Sequence, residues 1–388
     1  MINYENILSE KVKTVKPSGI RRFFDLAAEM QGVISLGVGE PDFKTPWNVR
    51  EAGIKSLQDG KTRYTANAGL IQLREEICSY LDRRFSIKYN PKDEVLVTVG
   101  GSEAIDICIR ALVNPDDEVL IPEPCFVAYA PIATLTGAKA VPIKTKAEDN
   151  FRLTPEALKA AITEKTKLLI FPFPNNPTGA VMHREHLEDI AEVLKDTDII
   201  VLSDEIYAEL TYTGSHVSIA SIDGMAERTV VVNGFSKSYS MTGWRLGYAV
   251  GPEPIIRQMT KIHQFAIMSS PTTSQYAAIE ALRNCDAAIV KMRDEYNMRR
   301  RLMIDGLNNM GLTCFEPEGA FYVFPSIKST GLSSAEFCER LLMEKKVAVV
   351  PGDAFGESGE GYVRISYSYS LNHLVEALGK IEEFIKSL

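Results

Sequence analysis

The stretch KLLIFPFPNNPTGAVMHREHLEDIAEVLKDTDIIVLSDEIY, residues 167–207, contains an apolar run, a helical pattern and a second apolar run in that order. Short apolar runs bounded by turn residues predict buried strands, and the spacing of the apolar residues between them predicts a helix. The same alternation recurs from residue 94 to residue 234. Strands that alternate with helices form a mainly parallel sheet covered by helices on both faces. The sequence therefore predicts an α/β fold with a three-layer αβα large domain.

The last hundred residues have a different pattern. A chain of 388 residues is too long for one ordinary core, so a second domain is expected. A long helical pattern at 297–311 leads into three short strand candidates and a closing helix, which is typical of a smaller α+β domain. We expect a large domain over residues 48–284 and a discontinuous small domain over residues 1–47 and 285–388.

Composition and charge exclude several classes of protein. A net charge of -8 argues against a nucleic-acid binder, which needs a concentrated basic face. No apolar run approaches the ~18–20 residues of a membrane span, and the first residues do not resemble a secretory signal. The six cysteines form no C-x-x-C pair, which favours reduced thiols in a cytoplasmic protein and no metal site. Neither a G-x-G-x-x-G nor a P-loop motif occurs, so a dinucleotide or nucleoside triphosphate is a poor fit.

Polar residues follow two of the predicted strands, at the sheet edge where ligands bind in folds of this kind. Asn176 lies in a turn with two prolines and Gly179 after the first apolar run of the quoted stretch. Asp204 directly follows the run IIVLS, where a carboxylate needs a cation partner unless it caps a helix. Taken alone, each of these features also fits an ordinary turn or cap.

Basic and anion-binding residues follow two further strands. Lys237 comes after RTVVVNG, and desolvation there lowers the pKa of a lysine and makes it a nucleophile toward aldehydes. Arg245 lies between glycines and suits a phosphate, and Gly101 opens a helix whose free N–H groups favour an anion. Together these residues predict a site for an aldehyde cofactor that carries a phosphate and a ring nitrogen.

Four motifs carry a family resemblance, namely NPTG at 176–179, SDEIY at 203–207, FSKSYSMTGWR at 235–245 and VRIS at 363–366. With these motifs the sequence resembles the class I/II (fold type I) aminotransferases that depend on pyridoxal 5′-phosphate (PLP). It is most similar to the bacterial and archaeal branch of aspartate, aromatic and N-acetyl-diaminopimelate aminotransferases. The resemblance implies a transaminase that moves the amino group of an aromatic or acidic L-amino acid to a 2-oxo acid such as 2-oxoglutarate, in two half-reactions.

The resemblance also implies roles for residues around the cofactor ring. Lys237 matches the Schiff-base lysine, which also moves the proton of the substrate Cα. Asp204 matches the acid that keeps the pyridine nitrogen protonated. Tyr207 and Asn176 match the two groups that bind the ring oxygen. Phe126, in PEPCFVAY, matches the aromatic side chain stacked on the ring, although plain core packing also explains it.

The phosphate site implied by the resemblance combines three segments of the chain. Its residues are Gly101, Ser102, Glu103, Ser236 and Arg245. Gly234 stands where many relatives have a phosphate-binding serine, which removes one contact. Tyr64, in RYTANAGL, matches a tyrosine that reaches the phosphate of the neighbouring subunit, so a homodimer is implied.

The substrate contacts are less completely defined. Arg364 matches the arginine that binds the substrate α-carboxylate, together with Asn176 and the backbone of Gly39. Residues 19–24, GIRRFF, border the entrance in this branch and supply either an arginine for a distal carboxylate or a phenylalanine for an aromatic ring. They also fit a solvated or packed helix, so the preferred amino acid stays open.

Three alternatives remain at this point. One is a PLP-dependent carbon–sulfur β-lyase on the same fold. Another is a ligand-sensing protein without catalysis, and the third is an inactive homologue. A β-lyase would release pyruvate continuously from an amino acid alone, and a protein without the cofactor would be colourless.

Overall fold

The computed structural model describes residues 2–15, 17 and 30–388. Its β-strands are numbered in chain order: β1 Ile34–Ser35, β2 Val95–Thr98, β3 Glu118–Glu123, β4 Lys139–Lys144, β5 Thr166–Phe171, β6 Ile200–Asp204, β7 Thr229–Gly234, β8 Gly247–Val250, β9 Tyr322–Val323, β10 Val347–Ala348, β11 Val350–Pro351 and β12 Val363–Ser366. Its α-helices are α1 Glu10–Thr14, α2 Trp47–Gln58, α3 Ile71–Phe85, α4 Gly100–Leu112, α5 Tyr129–Thr136, α6 Pro155–Ala161, α7 Arg184–Leu194, α8 Glu253–Ala266, α9 Thr272–Asn284, α10 Asp286–Asn309, α11 Ser334–Lys345 and α12 Leu371–Ser387.

A seven-stranded sheet forms the centre of the larger part of the molecule, in the order β2-β8-β7-β6-β5-β3-β4. Four of its strand pairs are parallel, and only β8 runs antiparallel to its two neighbours. All six residues of β7 are buried, as expected for a strand covered on both faces. The predicted α/β fold with a mainly parallel sheet is therefore confirmed.

The strand β8 was absent from the sequence-based prediction. It has only four residues, and it starts at Gly247, which the sequence presents as part of a bend after Arg245. Its Gly247 lies so close to the neighbouring backbone that a Cβ there would come within 2.6 Å of the Gly101 nitrogen. The glycine is therefore needed for β8 to pass beside the start of α4.

The remainder of the chain packs around shorter strands. β11, β12 and β9 form an antiparallel sheet, and β1 pairs in parallel with β10. Helix α10 contributes Ile289 to a core beside the large sheet and Met303 to the core of the smaller part. Because α10 belongs to both cores, it does not mark a sharp boundary at 284/285. Both proposed domain boundaries, 47/48 and 284/285, stay predictions.

The carboxyl ends of the parallel strands meet at one edge of the large sheet. β6 ends at Asp204 and β7 ends at Gly234, three residues before Lys237. Among the residues described, none of the helices is both long and apolar enough to cross a membrane. Within the same residues, no three His, Cys, Asp or Glu side chains are grouped to hold a metal ion.

Candidate active site

A cavity of about 430 Å³ opens at this edge of the sheet. Most of the site residues predicted from sequence line it. They are Gly39, Gly101, Ser102, Phe126, Asn176, Asp204, Tyr207, Ser236, Lys237, Arg245 and Arg364. The structure thus brings together residues that are more than 300 positions apart in the chain.

Lys237 lies in the bend that follows β7, with its ammonium group inside the cavity. Its Nζ donates a hydrogen bond to the carbonyl oxygen of Gly39 at 2.6 Å. Burial lowers the pKa of Lys237 to about 8; Glu40 opposes this change, and the charges of Arg364 and Arg245 add to it. Lys237 therefore loses its proton far more readily than an ordinary lysine, and its neutral form is the nucleophilic amine.

Asp204 ends β6 and is buried beside the cavity. Its Oδ2 accepts a hydrogen bond from the Tyr129 hydroxyl at 2.7 Å, and its Oδ1 accepts one from the Ile206 N–H at 3.2 Å. Burial raises the pKa of Asp204, and the hydrogen bond from Tyr129 opposes the rise. Among the described side chains, no salt bridge is formed by its carboxylate, so a cationic group of a ligand would find an unpaired acid here.

Arg364, on β12, brings a cation from the smaller part of the molecule into the cavity. Its Nη1 donates a hydrogen bond to Asn176 Oδ1 at 2.9 Å, and its Nη2 donates one to the carbonyl oxygen of Gly37. Its guanidinium carbon lies 4.4 Å from the ring centre of Tyr322 and 4.7 Å from that of Phe355. Burial lowers the pKa of Arg364. Among the described residues no carboxylate pairs with this buried guanidinium, which suits an anionic ligand group.

The anion end of the cavity lies at the start of α4, where backbone N–H groups have no intrahelical partner. Ser102, Ser236 and Arg245 line the cavity on this side. Gly100 has a φ of +76°, and a Cβ there would come within 2.6 Å of Arg245 Nη2. Only a glycine therefore allows the arginine to approach the helix start this closely.

The side chain of Glu103, which was predicted to belong to the phosphate site, points away from the cavity. Its carboxylate accepts a hydrogen bond from the Val99 N–H and lies 2.6 Å from Nδ1 of the fully buried His263. Glu103 does not line the cavity. Consecutive side chains of a helix point in different directions. Glu103 therefore does not follow Ser102 into the cavity, and its carboxylate instead accepts a hydrogen bond at the start of the helix.

Two further predicted features lie away from the cavity. Tyr64 is 81% exposed and does not line the cavity of its own chain. Its contact with a neighbouring subunit stays a prediction. Residues 19–24, the segment considered for the substrate entrance, lie outside the described residues.

Sequence reasoning missed four residues that line the cavity with polar side chains. They are Glu40, Tyr129, Thr242 and Tyr322. Tyr129 closes the quoted motif PEPCFVAY, and its spacing of three residues from Phe126 places both rings together, with centroids 5.6 Å apart. Tyr322 had no local signal, because its place in the site depends on pairing between β9 and β12.

The donor set fits PLP. It combines a lysine of lowered pKa, a buried carboxylate without a protein cation, a hydroxyl and an amide, and an anion site at a helix start. These groups correspond to the aldehyde, the ring nitrogen, the ring oxygen and the phosphate. The model of the aminotransferase class I and II family matches residues 31–381 of the sequence.

The chain belongs to the class I and II aminotransferases. It is 48% identical over 382 residues to the aspartate aminotransferase of Pyrococcus abyssi, with 98% of each chain covered. It is 45% identical over 382 residues to the aromatic-amino-acid aminotransferase 2 of Thermococcus litoralis, again with 98% of each chain covered. The crystal structure of an aromatic aminotransferase from Pyrococcus horikoshii superposes with a TM-score of 0.90 at 45% identity, covering 95% of this chain and 99% of that one.

Membership of this aminotransferase family confirms three predictions. The protein is a transaminase, its cofactor is PLP, and its substrates are amino acids and 2-oxo acids. The superposition confirms the fold of the PLP-dependent transferases of fold type I. The roles of the individual residues stay predictions that rest on their place in the cavity.

Proposed function

We propose that the enzyme transfers the amino group of an acidic or aromatic L-amino acid to a 2-oxo acid such as 2-oxoglutarate. The observation that carries this proposal is that Lys237 and Arg364 line one cavity. A base for the Cα proton and a cation for the α-carboxylate are thereby available to a single amino acid. The names of relatives that act on aspartate and on aromatic amino acids support the choice of donor.

When bound, PLP supplies the electron sink that stabilises negative charge at the substrate Cα. Asp204 then holds the proton on the ring nitrogen, which keeps the sink effective, and this pairing gives the buried carboxylate its cation. Tyr207 and Asn176 bind the ring oxygen, and Phe126 packs on the ring face. Lys237 in its neutral form, which the lowered pKa makes accessible, would accept the proton of the substrate Cα on Nζ and then donate it to the cofactor.

The substrate is oriented by its carboxylate. Arg364 binds this group, since charge-assisted hydrogen bonds are worth about 1.5–3 kcal/mol each and fix the geometry. Asn176 already accepts a hydrogen bond from Arg364 through its Oδ1, which leaves its amide NH2 group to donate to the substrate or the cofactor. The backbone of Gly39, whose carbonyl oxygen accepts the hydrogen bond of Lys237, lines the same cavity, and its N–H group is the one that would donate to the substrate carboxylate.

The proposal extends to assembly and location. Ser102 and Arg245 are exposed in the single chain, so their phosphate site is open on the side where Tyr64 of a second copy would bind. We therefore propose a homodimer, with a large domain over residues 48–284 and a discontinuous small domain. The six cysteines are all free, which supports a cytoplasmic location. A role in amino acid metabolism follows from the proposed reaction.

A half-reaction screen tests the proposed function. Each amino acid is added alone to the holoenzyme, and the loss of its visible absorption band is recorded. Acidic or aromatic donors should convert one equivalent and stop, and Lys237→Ala should abolish both the band and the conversion. Lys88→Ala, an exposed lysine whose side chain is 80% exposed, serves as the control and should behave as the wild type. Continuous release of pyruvate would instead identify a β-lyase, and full turnover by Lys237→Ala would refute the site.

A further inference from the structure

The side chain of Tyr322 connects two residues of the proposed site. Its hydroxyl lies 2.8 Å from that of Tyr207, and the guanidinium carbon of Arg364 lies 4.4 Å from its ring centre. In the pairing of β9 with β12, Tyr322 stands opposite Ser366. Arg364, two residues before Ser366, is the diagonal neighbour on the same face of the sheet. Tyr322 thus lies between the group proposed to bind the cofactor's ring oxygen and the group proposed to bind the substrate.

Packing holds Tyr322 in this place. The residue is 1% exposed, and its ring lies against that of Phe321 with centroids 4.9 Å apart. A Cβ at Gly39 would come within 2.1 Å of the Tyr322 hydroxyl oxygen, so that hydroxyl rests directly on the glycine backbone. The same Gly39 accepts the hydrogen bond of Lys237. A side chain restrained on these sides has little freedom to change its hydrogen-bond partner.

The number of hydroxyl protons decides the direction of the bond between the two tyrosines. A phenol has one proton to donate, although its oxygen also accepts. In the proposed function, Tyr207 donates its proton to the ring oxygen of PLP. Within the Tyr207–Tyr322 pair, Tyr322 is then the only possible donor.

We propose that Tyr322 is a positioning residue that donates its hydroxyl proton to Tyr207 and so directs the proton of Tyr207 toward the cofactor. This inference rests on the proposed function. It assigns Tyr322 a part in setting the electronic state of the bound cofactor, beyond packing against the substrate-binding arginine.

The electrostatic surroundings favour this direction. Burial raises the pKa of Tyr207 well above its usual value. Burial also raises the pKa of Tyr322, and the charge of Arg364, whose guanidinium carbon lies 4.4 Å from its ring centre, opposes that rise. The same charge opposes the rise at Tyr207 only as a lesser cause. A cation held against the ring of Tyr322 makes its hydroxyl the better donor, with Tyr207 as the acceptor.

The variant Tyr322→Phe tests the proposal, because it keeps the ring against Arg364 and removes only the hydroxyl. The measurement is the pH midpoint of the change in the holoenzyme's visible absorption. A hydrogen bond to the ring oxygen favours the deprotonated form of the cofactor–lysine group, so its weakening should raise the midpoint. Loss of one neutral hydrogen bond predicts a rise of about 0.5–1 pH unit.

Two further variants separate positioning from packing. In a Tyr207→Phe background, Tyr322→Phe should add no shift beyond about 0.3 pH unit, since the chain of bonds is already broken. Tyr367→Phe is the matched control: this tyrosine is equally buried in the same core and donates to the carbonyl oxygen of Ala320 at 3.2 Å. Its midpoint should equal that of the wild type.

The results that overturn the proposal are distinct from those that overturn the proposed function. If Tyr322→Phe has the wild-type midpoint, Tyr322 does not direct the proton of Tyr207. The same follows if Tyr322→Phe shifts the midpoint equally in the wild-type and Tyr207→Phe backgrounds. Neither result touches the proposed function. A purified wild-type protein that binds no PLP and shows no visible band eliminates the proposed function, and the inference with it.

Discussion

The hydroxyl of Tyr129 donates a hydrogen bond to Asp204 Oδ2 at 2.7 Å, and both side chains are buried beside the cavity. Tyr129 is the first residue of α5, whereas Asp204 is the last residue of β6. The bond holds the carboxylate in place, and Tyr129 itself packs edge-to-face on Phe126, the residue proposed to stack on the cofactor ring. The orientation of the proposed acid is therefore set by a helix as well as by its own strand.

Tyr129→Phe should slow the half-reaction about tenfold or more. The variant removes a hydrogen bond to a charged group, worth about 1.5–3 kcal/mol, and leaves Asp204 free to rotate away from the ring nitrogen. The rate at which the visible band disappears on addition of an amino acid measures the effect. Tyr80→Phe provides the control, because Tyr80 is also buried and donates to the carboxylate of Glu209 at 2.7 Å. That variant should lose stability but keep the wild-type rate; equal rates for all three proteins would contradict the role of Tyr129.

The residues found by sequence reasoning share a physical property. Asp204 and Lys237 each follow a strand of the parallel sheet, and the carboxyl ends of such strands lie at one edge. Their proximity follows from the strand pattern alone. Arg364 lies on a strand of the smaller part, and only the family resemblance assigned it to the same site.

The residues that were missed or misassigned depend on side-chain direction and long-range pairing. Tyr322 enters the cavity through the pairing of β9 with β12, whose residues lie more than 40 positions apart. Glu103 follows Ser102 in sequence, but on a helix the next side chain points elsewhere, here toward Val99 and His263. Neither relationship can be obtained from the local pattern of apolar and polar residues.

The lowered pKa of Lys237 predicts a pH dependence of stability in the protein without cofactor. Its folded-state pKa is about 8, against 10.5 for an ordinary lysine, so between these values the unfolded chain binds more protons. Stability contributed by this group therefore rises as the pH rises from 8 to 10.5. Lys237→Met has no charge to bury and should be more stable than the wild type at pH 7, by up to about 3 kcal/mol and less where cavity water reaches the ammonium.

Denaturant unfolding of the two cofactor-free proteins at several pH values tests this expectation. The advantage of Lys237→Met should shrink as the pH approaches 10.5, where the wild-type lysine is neutral in the folded state. Comparison between the two proteins cancels the titration of all other groups. A constant difference across the whole range would show that the pKa of Lys237 is not lowered by folding.

Glu318→Gln should destabilise the protein at neutral pH. The Glu318 carboxylate accepts hydrogen bonds from Arg152 and, at 2.6 Å, from Thr213, and lies 2.8 Å from His183 Nε2. Burial acts to raise the pKa of Glu318. The hydrogen bond from Thr213 and the charges of His183 and Arg152 outweigh burial, so the pKa is lowered overall. The carboxylate therefore contributes stability above its unfolded pKa, and this contribution is lost as the pH falls through the folded value.

Urea unfolding of Glu318→Gln at pH 7 should show a loss of about 2 kcal/mol, typical of removing a partly buried charged acceptor. The loss should disappear in acid, where the wild-type carboxyl is protonated too. Glu344→Gln is the control, because its carboxylate pairs with Arg340 and the two side chains are 40% and 42% exposed. That change should cost about 0–1 kcal/mol. Equal losses for the two variants would mean that the Glu318 cluster adds nothing beyond a surface ion pair.

Gly39→Ala should impair both stability and the half-reaction. The added methyl group would come within 2.1 Å of the Tyr322 hydroxyl oxygen, so either the tyrosine or the loop that holds Lys237 must move. Overpacking of this kind costs about 1–3 kcal/mol, and the displacement should slow the loss of the visible band as well. Gly379→Ala, on α12, is the matched control, since no atom lies within 4 Å of its added methyl group. This helical change should raise the free energy of unfolding by about 0.5–1 kcal/mol and leave the rate unchanged. If Gly39→Ala matched it on both measurements, the close contact between Gly39 and Tyr322 would have no functional weight.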